Sequence, residues 1–459
     1  MEMNRRQLLG AGIASIGAAT FGLTLPRMAQ AAPLSLRASK FDYAILPGQT
    51  TTGMMSFAEA APPPVLRMRQ GQAAQIDVQN TLDEVTTVHW HGVRLPNAQD
   101  GVPYITQIPI GEGATYRYDF TPADAGTYWY HPHCNTLAQM GRGMTGVLIV
   151  DEAADQGFDA DIPLNIRDFR LGKDAQFMEF LVPRSASRGG TLGTVSTANW
   201  TVDGVTDAPA GGLVRLRLVV TDMSRVCDVT VAGAPALLIA LDGHPVLVPE
   251  LAAQVLLAPG QRADLAVLMP AQGGMVQVTL QQKGGKTKPL ARLRAVGAGL
   301  GRSLAEVKPL PANPVAKPDL ATAEVIDFVI GWTPEGGQGG SSICGDMPFA
   351  FWSINRKVWP GDVPDRFAPL ADLTLGKSYI FRLANETENA HPIHLHGMAF
   401  QVLRSNKRTI RQQITDTVLL QSHETVEIAF VADNPGDWVF HCHVIEHQKT
   451  GLAGFLRVS

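Results

Sequence analysis

Between His441 and His447 the chain reads HCHVIEH: a thiol flanked by two imidazoles, with a third imidazole five residues beyond it. On a β-strand, residues i and i+2 share one face while i+1 points to the other, so His441 and His443 serve one site and Cys442 another. A thiolate with imidazole gives the soft sulfur and nitrogen donors that select copper in trigonal electron-transfer sites, and the flanking imidazoles suit a second copper site behind it. One tripeptide can therefore join two metal centres covalently and carry electrons between them.

The chain has 12 histidines, and eight of them form four HxH pairs: His89 with His91, His131 with His133, His394 with His396, and His441 with His443. Random placement would give about 0.3 such pairs. A single pair is as readily a solvated strand face, but four pairs with Cys442 form a ligand set, because neutral imidazole is the commonest protein ligand for metals of this kind. His244, in LDGHPV, and His423 stand outside the pairs and are expected to be surface or structural histidines.

The elements that must position these ligands repeat. The first third contains HWHG, then DFTPADAGTYWYHPH, then MGRGMTGVLIV; the last third contains HPIHLHG, then AFVADNPGDWVFHCH, then KTGLAGFLRV. Both run from an HxHG through a Pro/Gly turn and an aromatic strand into a second HxH and a closing apolar strand, so they are two copies of one unit. A fainter copy without HxH spans Val255 to Leu280 and reads as a spacer. Short strands bounded by turns in units of this size indicate β-sandwiches. The expected organisation is a leader over 1–31, a first unit over 32–155, a copper-free middle unit over 160–298 and a last unit over 320–459. The shared site then lies between the first and last units.

At 459 residues and 45% hydrophobic, the chain can bury several cores, and a net charge of -4 without a basic run argues against a nucleic-acid partner. Arg5 and Arg6 precede a weakly apolar stretch that ends in Ala29-Gln30-Ala31, which resembles a twin-arginine export signal cleaved after Ala31. Beyond it no run is long and apolar enough for stable membrane insertion, so a periplasmic protein handled by the twin-arginine export machinery is expected. With Cys442 given to metal, Cys134, Cys227 and Cys344 allow one disulfide and a spare, in three possible pairings.

HWHG, WYHPH, HPIHLHG and HCHVIEH, in that order across nearly the whole chain, resemble the four copper motifs of three-domain multicopper oxidases, a group that includes laccases and bacterial cuprous oxidases. The resemblance implies an all-β chain of three consecutive cupredoxin-like Greek-key β-sandwich domains with four copper ions. It implies a type 1 copper on His391, Cys442 and His447, type 2 ligands at His89 and His394, and a type 3 pair on His91, His131, His133, His396, His441 and His443. It also implies dioxygen and a small reducing substrate as partners. Four electrons reduce dioxygen to two waters, so one-electron donors must be coupled to a multinuclear store, and four coppers match four electrons.

Three further positions follow from the same match. Asp100, in PNAQDGVP, corresponds to an acidic residue near type 2 copper and is the candidate proton donor, although Asp-Gly is also a turn signal. Gln448 stands where bacterial relatives often carry a second carboxylate, which puts a second proton relay in doubt, and Glu446 is no obvious substitute. Leu452 stands where many relatives have an axial methionine, and an alkyl group donates nothing to copper.

The 14 methionines are scattered, and Met140 and Met144 read as packing residues. Lack of a Met-rich insertion favours phenols or aryl amines over Cu(I) or Mn(II) as substrate. A copper nitrite reductase would not need four HxH pairs, and a non-catalytic copper-binding scaffold should have lost ligands that are all present here.

Overall fold

The computed structural model describes residues 34–459 except 283, 339–343, 346–348 and 365–366. The proposed leader lies outside the described residues. Where a strand has one wet face its burial alternates, as in Ser378–Asn385, SYIFRLAN. The strands that carry histidines do not alternate: Gly126–His131 and His391–Leu395 are buried at every position. Their second face is covered by other parts of the protein, and that covered face holds His131 and His394, while His391 lies on the core face with Ile393 and Leu395.

Each third of the chain folds into two sheets, with four strands each in the first third and six and five in the middle and last. The wiring is the same each time. The opening strand pairs in parallel with a later one: Leu34–Leu46 with Ala74–Asn80, Ala160–Phe169 with Leu213–Val220, and Glu324–Gln338 with Ser378–Asn385. The closing strands, Gly146–Asp151, Thr287–Val296 and Ala453–Val458, each run antiparallel to the strand before them and parallel to a short edge strand. The repeat read in the sequence is thus a repeat of topology, and it holds in the middle third, where no histidine pair marks it. Side chains of the first and last thirds merge into one apolar core, whereas the middle third packs its own.

One disulfide is present, Cys134–Cys344, and Cys227 and Cys442 are buried free thiols. It joins the residue after the second HxH pair to the last third across 210 residues of sequence, a pairing that thiol spacing alone left open. No helix among the described residues is long and apolar enough to cross a membrane.

Candidate metal centres

His391 opens the strand His391–Leu395, whose Ile393 lies opposite Cys442 on Gly436–Cys442, and His447 comes from the short helix Ile445–Lys449 that follows. Their donor atoms form a closed triangle, with Cys442 Sγ 3.6 Å from His391 Nδ1 and 3.5 Å from His447 Nδ1, and the two Nδ1 atoms 3.0 Å apart. His447 Nε2 donates to the Arg188 carbonyl at 2.6 Å, which leaves the Nδ1 lone pair aimed at the thiol; His391 Nε2 hydrogen-bonds the Thr387 hydroxyl at 2.9 Å. Burial pushes the Cys442 thiol up, so it stays protonated unless a cation draws the proton off, and the three donors could hold such an ion. Leu452 is buried in the core that contains Cys442, and its carbonyl accepts from the Cys442 amide at 3.0 Å.

The eight paired histidines converge on the other side of the tripeptide. His89 lies opposite His131 across two strands of the first third, and His394 opposite His441 in the last, so the same pairing recurs in both repeats. Donor atoms gather in three sets: His91, His131 and His443; His133, His396 and His441; and His89 and His394 with His91. All eight side chains are buried.

On four of the rings the outer nitrogen is fixed and the inner one is not. His89 Nδ1 bonds the Asp100 carbonyl at 2.9 Å, His131 Nδ1 the Pro132 carbonyl at 2.9 Å, His394 Nδ1 the Asp416 carbonyl at 2.8 Å, and His441 Nδ1 the Cys442 carbonyl at 2.9 Å. A carbonyl only accepts, so each of these rings keeps its proton outside and turns a bare Nε2 inward. Buried nitrogens without any partner remain on His89, His91, His131, His133, His394 and His443. Nε2 of His396 and of His441 stand 3.1 Å apart while both rings donate outward, which sets lone pair against lone pair. Desolvation first, and neighbouring imidazoles second, push His131, His133, His396, His441 and His443 well below the usual range, so these rings stay neutral and keep a lone pair for a cation. Imidazole nests of this kind, next to a Cys-His-His triangle, fit copper.

Asp100 sits at the edge of this nest. One of its carboxylate oxygens is 2.8 Å from His396 Nδ1 and the other 3.2 Å from His89 Nδ1, so it touches a ring from each repeat. Its Asp-Gly turn is real as well: a Cβ on Gly101, at φ +77°, would lie 1.8 Å from the Val88 carbonyl oxygen.

A second carboxylate, Asp416, was not singled out in the sequence. Its Oδ1 is 3.1 Å from His91 Nε2 and 2.9 Å from Arg262, and its Oδ2 is 2.7 Å from the same guanidinium. Burial raises its pKa, but the Arg262 charge and the His394 and His91 hydrogen bonds outweigh that and hold it well below the ordinary carboxylate range. Arg262 also bonds Asp242, whose carboxyl burial pushes up to about 7. The only available sequence signal was a charge at the head of each apolar strand, TDTVLL and GQRADLAVL, since a charge that becomes buried must be paired.

Arg262 belongs to the middle third, so that third does more than keep the others apart. A Cβ on Gly260 would come within 3.0 Å of His91 and 3.2 Å of His443, so the middle third closes the nest with bare backbone. Gln448 reaches the nest too, 3.3 Å from His133 Nε2. Glu446 points away and bonds the amide of Thr191 and, at 2.5 Å, its hydroxyl. Met140 and Met144 are core residues, His244 is buried against Asn313, and His423 lies in an exposed turn.

Multicopper oxidase family models match residues 40–155 and 344–459, the two thirds that carry the histidines. A multicopper oxidase named MmcO from Mycobacterium tuberculosis is 28% identical over 98% of this chain and 96% of its own. Laccase-1 of Botryotinia fuckeliana is 27% identical over 87% of this chain and 77% of its own. The crystal structure of a multi-copper oxidase from Pseudomonas Thermotolerans superposes with a TM-score of 0.83 at 39% identity, covering 93% of this chain and 99% of that one. This fold, this histidine nest and these matches together place the chain in the multicopper oxidase family, copper enzymes that oxidise a reducing substrate and reduce dioxygen.

Proposed function

We propose that His391, Cys442 and His447 hold a type 1 copper, that His89 and His394 hold a type 2 copper, and that a type 3 pair is held by His91, His131 and His443 on one side and His133, His396 and His441 on the other. The observation that carries this reading is the set of buried imidazole nitrogens that lack any partner, on His89, His131 and His394 with the outer nitrogen tied to a carbonyl and on His91 with it tied to a carboxylate. Copper held there supplies one-electron acceptance from the reductant and four-electron delivery to dioxygen.

The chain's own part is to join, orient and protonate. Cys442 is covalently continuous with His441 and His443, and its carbonyl also accepts from His441 Nδ1, so the two sites are linked by the tripeptide both through bonds and through a hydrogen bond. Asp416 and Arg262 fix the ring planes of His91 and His394. Asp100 holds His89 and His396 and is the residue placed to pass protons into the nest. Gln448 has no carboxyl proton to give, so its role is to position His133.

The substrate class proposed is phenols and aryl amines, supported by the absence from the sequence of a methionine-rich insertion that would receive Cu(I). The domains proposed are 32–155, 160–298 and 320–459, after a twin-arginine leader removed at Ala31, and the place of work proposed is the periplasm. Oxygen uptake by the copper-loaded protein against a phenol, an aryl amine, Cu(I) and Mn(II) tests the substrate reading. Faster uptake with the organic donors is expected; uptake driven only by the metal ions would overturn it.

A further inference from the structure

Neither type 1 imidazole offers an edge to solvent. His391 and His447 are fully buried, one capped by the Thr387 hydroxyl and the other by the Arg188 carbonyl. The segment around Arg188 is tied down on both sides: the Ala186 carbonyl accepts from Trp352 Nε1 at 2.9 Å, and Thr191 bonds Glu446. A reductant larger than a water molecule therefore cannot touch either ring in this structure, and its electron must cross protein atoms.

One side chain packs on both rings. Trp352 is buried, with its ring centroid 4.6 Å from that of His447 and 4.9 Å from that of His391. Directly across the strand pair lies Trp332, in register with it, stacked at 4.2 Å and 20°. Trp332 is 41% exposed. Isolated exposed apolar residues are common and need no explanation. This one differs because it is the outer member of a stack whose inner member lies against the two imidazoles of the electron-accepting site.

We propose that Trp332 is the docking platform for planar aromatic reductants and that the Trp332–Trp352 stack carries their electrons inward to His391 and His447. The proposal rests on the reading of His391, Cys442 and His447 as the type 1 site. The exposed part of the indole attracts a phenol or aryl amine by offset-stacked or edge-to-face contact, which a hydrated metal ion does not make. For a phenol, one electron crosses the stack to the ion held by Cys442 and the two histidines, which goes from copper(II) to copper(I). The O–H bond breaks, its proton passes to water, and an aryloxyl radical departs; four such events supply the four electrons that dioxygen takes. The indoles act as a tunnelling bridge and end each event unchanged.

The test compares the parent with Trp332→Ala and Trp332→Phe. Anaerobic stopped-flow bleaching of the blue band is followed with 2,6-dimethoxyphenol and with hexacyanoferrate(II), and the ratio of the two rate constants is taken. Trp332→Ala should lower that ratio about tenfold, the size of one lost stacking contact, and Trp332→Phe should restore most of it. The copper-free protein gives a readout independent of turnover: the non-reducing 1,2,3-trimethoxybenzene should quench indole fluorescence saturably in the parent and not in Trp332→Ala. An unchanged ratio with unchanged quenching would overturn the proposal and move electron entry to the Arg188 carbonyl. A parent without a blue band would instead sink the type 1 reading itself.

Discussion

Two of the polar clusters among the described residues are satisfied in opposite ways. Where the middle third meets the first, Asp264 accepts from Arg215 at 2.7 Å, from Arg217 at 3.3 Å and from the Thr127 hydroxyl at 2.7 Å, while Arg215 and Arg217 also bond Glu152 and Asp161. Each donor there meets an acceptor supplied by the chain. Between the first and last thirds, eight imidazoles meet and leave lone pairs aimed at one another. Burying polar atoms without partners costs roughly 1–3 kcal/mol each, so such a nest makes physical sense only as one that a cation completes. The same wiring of opening and closing strands thus supports a cluster closed by protein in one place and a cluster left open for a cation in the other.

The closed cluster should be the more fragile toward loss of a single partner. Asp264→Ala leaves two guanidinium groups, both nearly inaccessible, short of an acceptor, and should cost about 3–5 kcal/mol in urea unfolding of the copper-loaded protein. A loss below about 1 kcal/mol would mean that Glu152 and Asp161 suffice and that the contrast between the clusters is weaker than drawn.

A lone histidine that the protein does satisfy provides the second test. His244 hydrogen-bonds Asn313 at 3.2 Å, and burial lowers it to about 4. As pH falls below about 6.5 the unfolded chain takes up a proton that the folded chain refuses, so the stability due to His244 is present above that pH and is lost progressively down to about 4. Between pH 7.5 and 4.5 the copper-free parent should therefore lose about 2–3 kcal/mol more than His244→Gln, measured by urea unfolding at both pH values. Parallel losses would show that His244 is protonated in the fold.

At the open cluster the corresponding effect is kinetic. Asp100→Asn keeps the shape of a group that touches His89 and His396 and removes its transferable proton. Reduction by substrate should be nearly unchanged and reoxidation by dioxygen about 10- to 100-fold slower, with the half-reactions followed separately by stopped flow. Equal reoxidation rates would return Asp100 to a turn residue that only braces the two rings.

The sequence exposed the nest because its ligands come in pairs two residues apart, a spacing that is itself a statement about strand faces. Asp100 was visible only through the family resemblance, because its own local signal, Asp-Gly, is that of a turn. Asp416 and Arg262 were hidden because they come from different thirds of the chain and become a pair only once the sandwiches are packed. Gly260 was hidden for a related reason: a glycine in PGQR reads as a turn, and only the fold shows His91 and His443 where its side chain would be. The cover over His447 had no local signal at all, since the group that binds the ring is the backbone carbonyl of Arg188.

On the proposed assignment Cys442 serves one copper while the histidines on either side of it serve the others. Cys442→Ser tests it, with copper per chain measured by mass spectrometry and the visible spectrum recorded on the same samples. The parent should bind about four copper ions and be intensely blue, and the variant should bind about three and lose the blue band while the nest keeps its metal. A variant that stays blue, or one that loses all its copper with its fold intact, would contradict the division of the tripeptide between two sites.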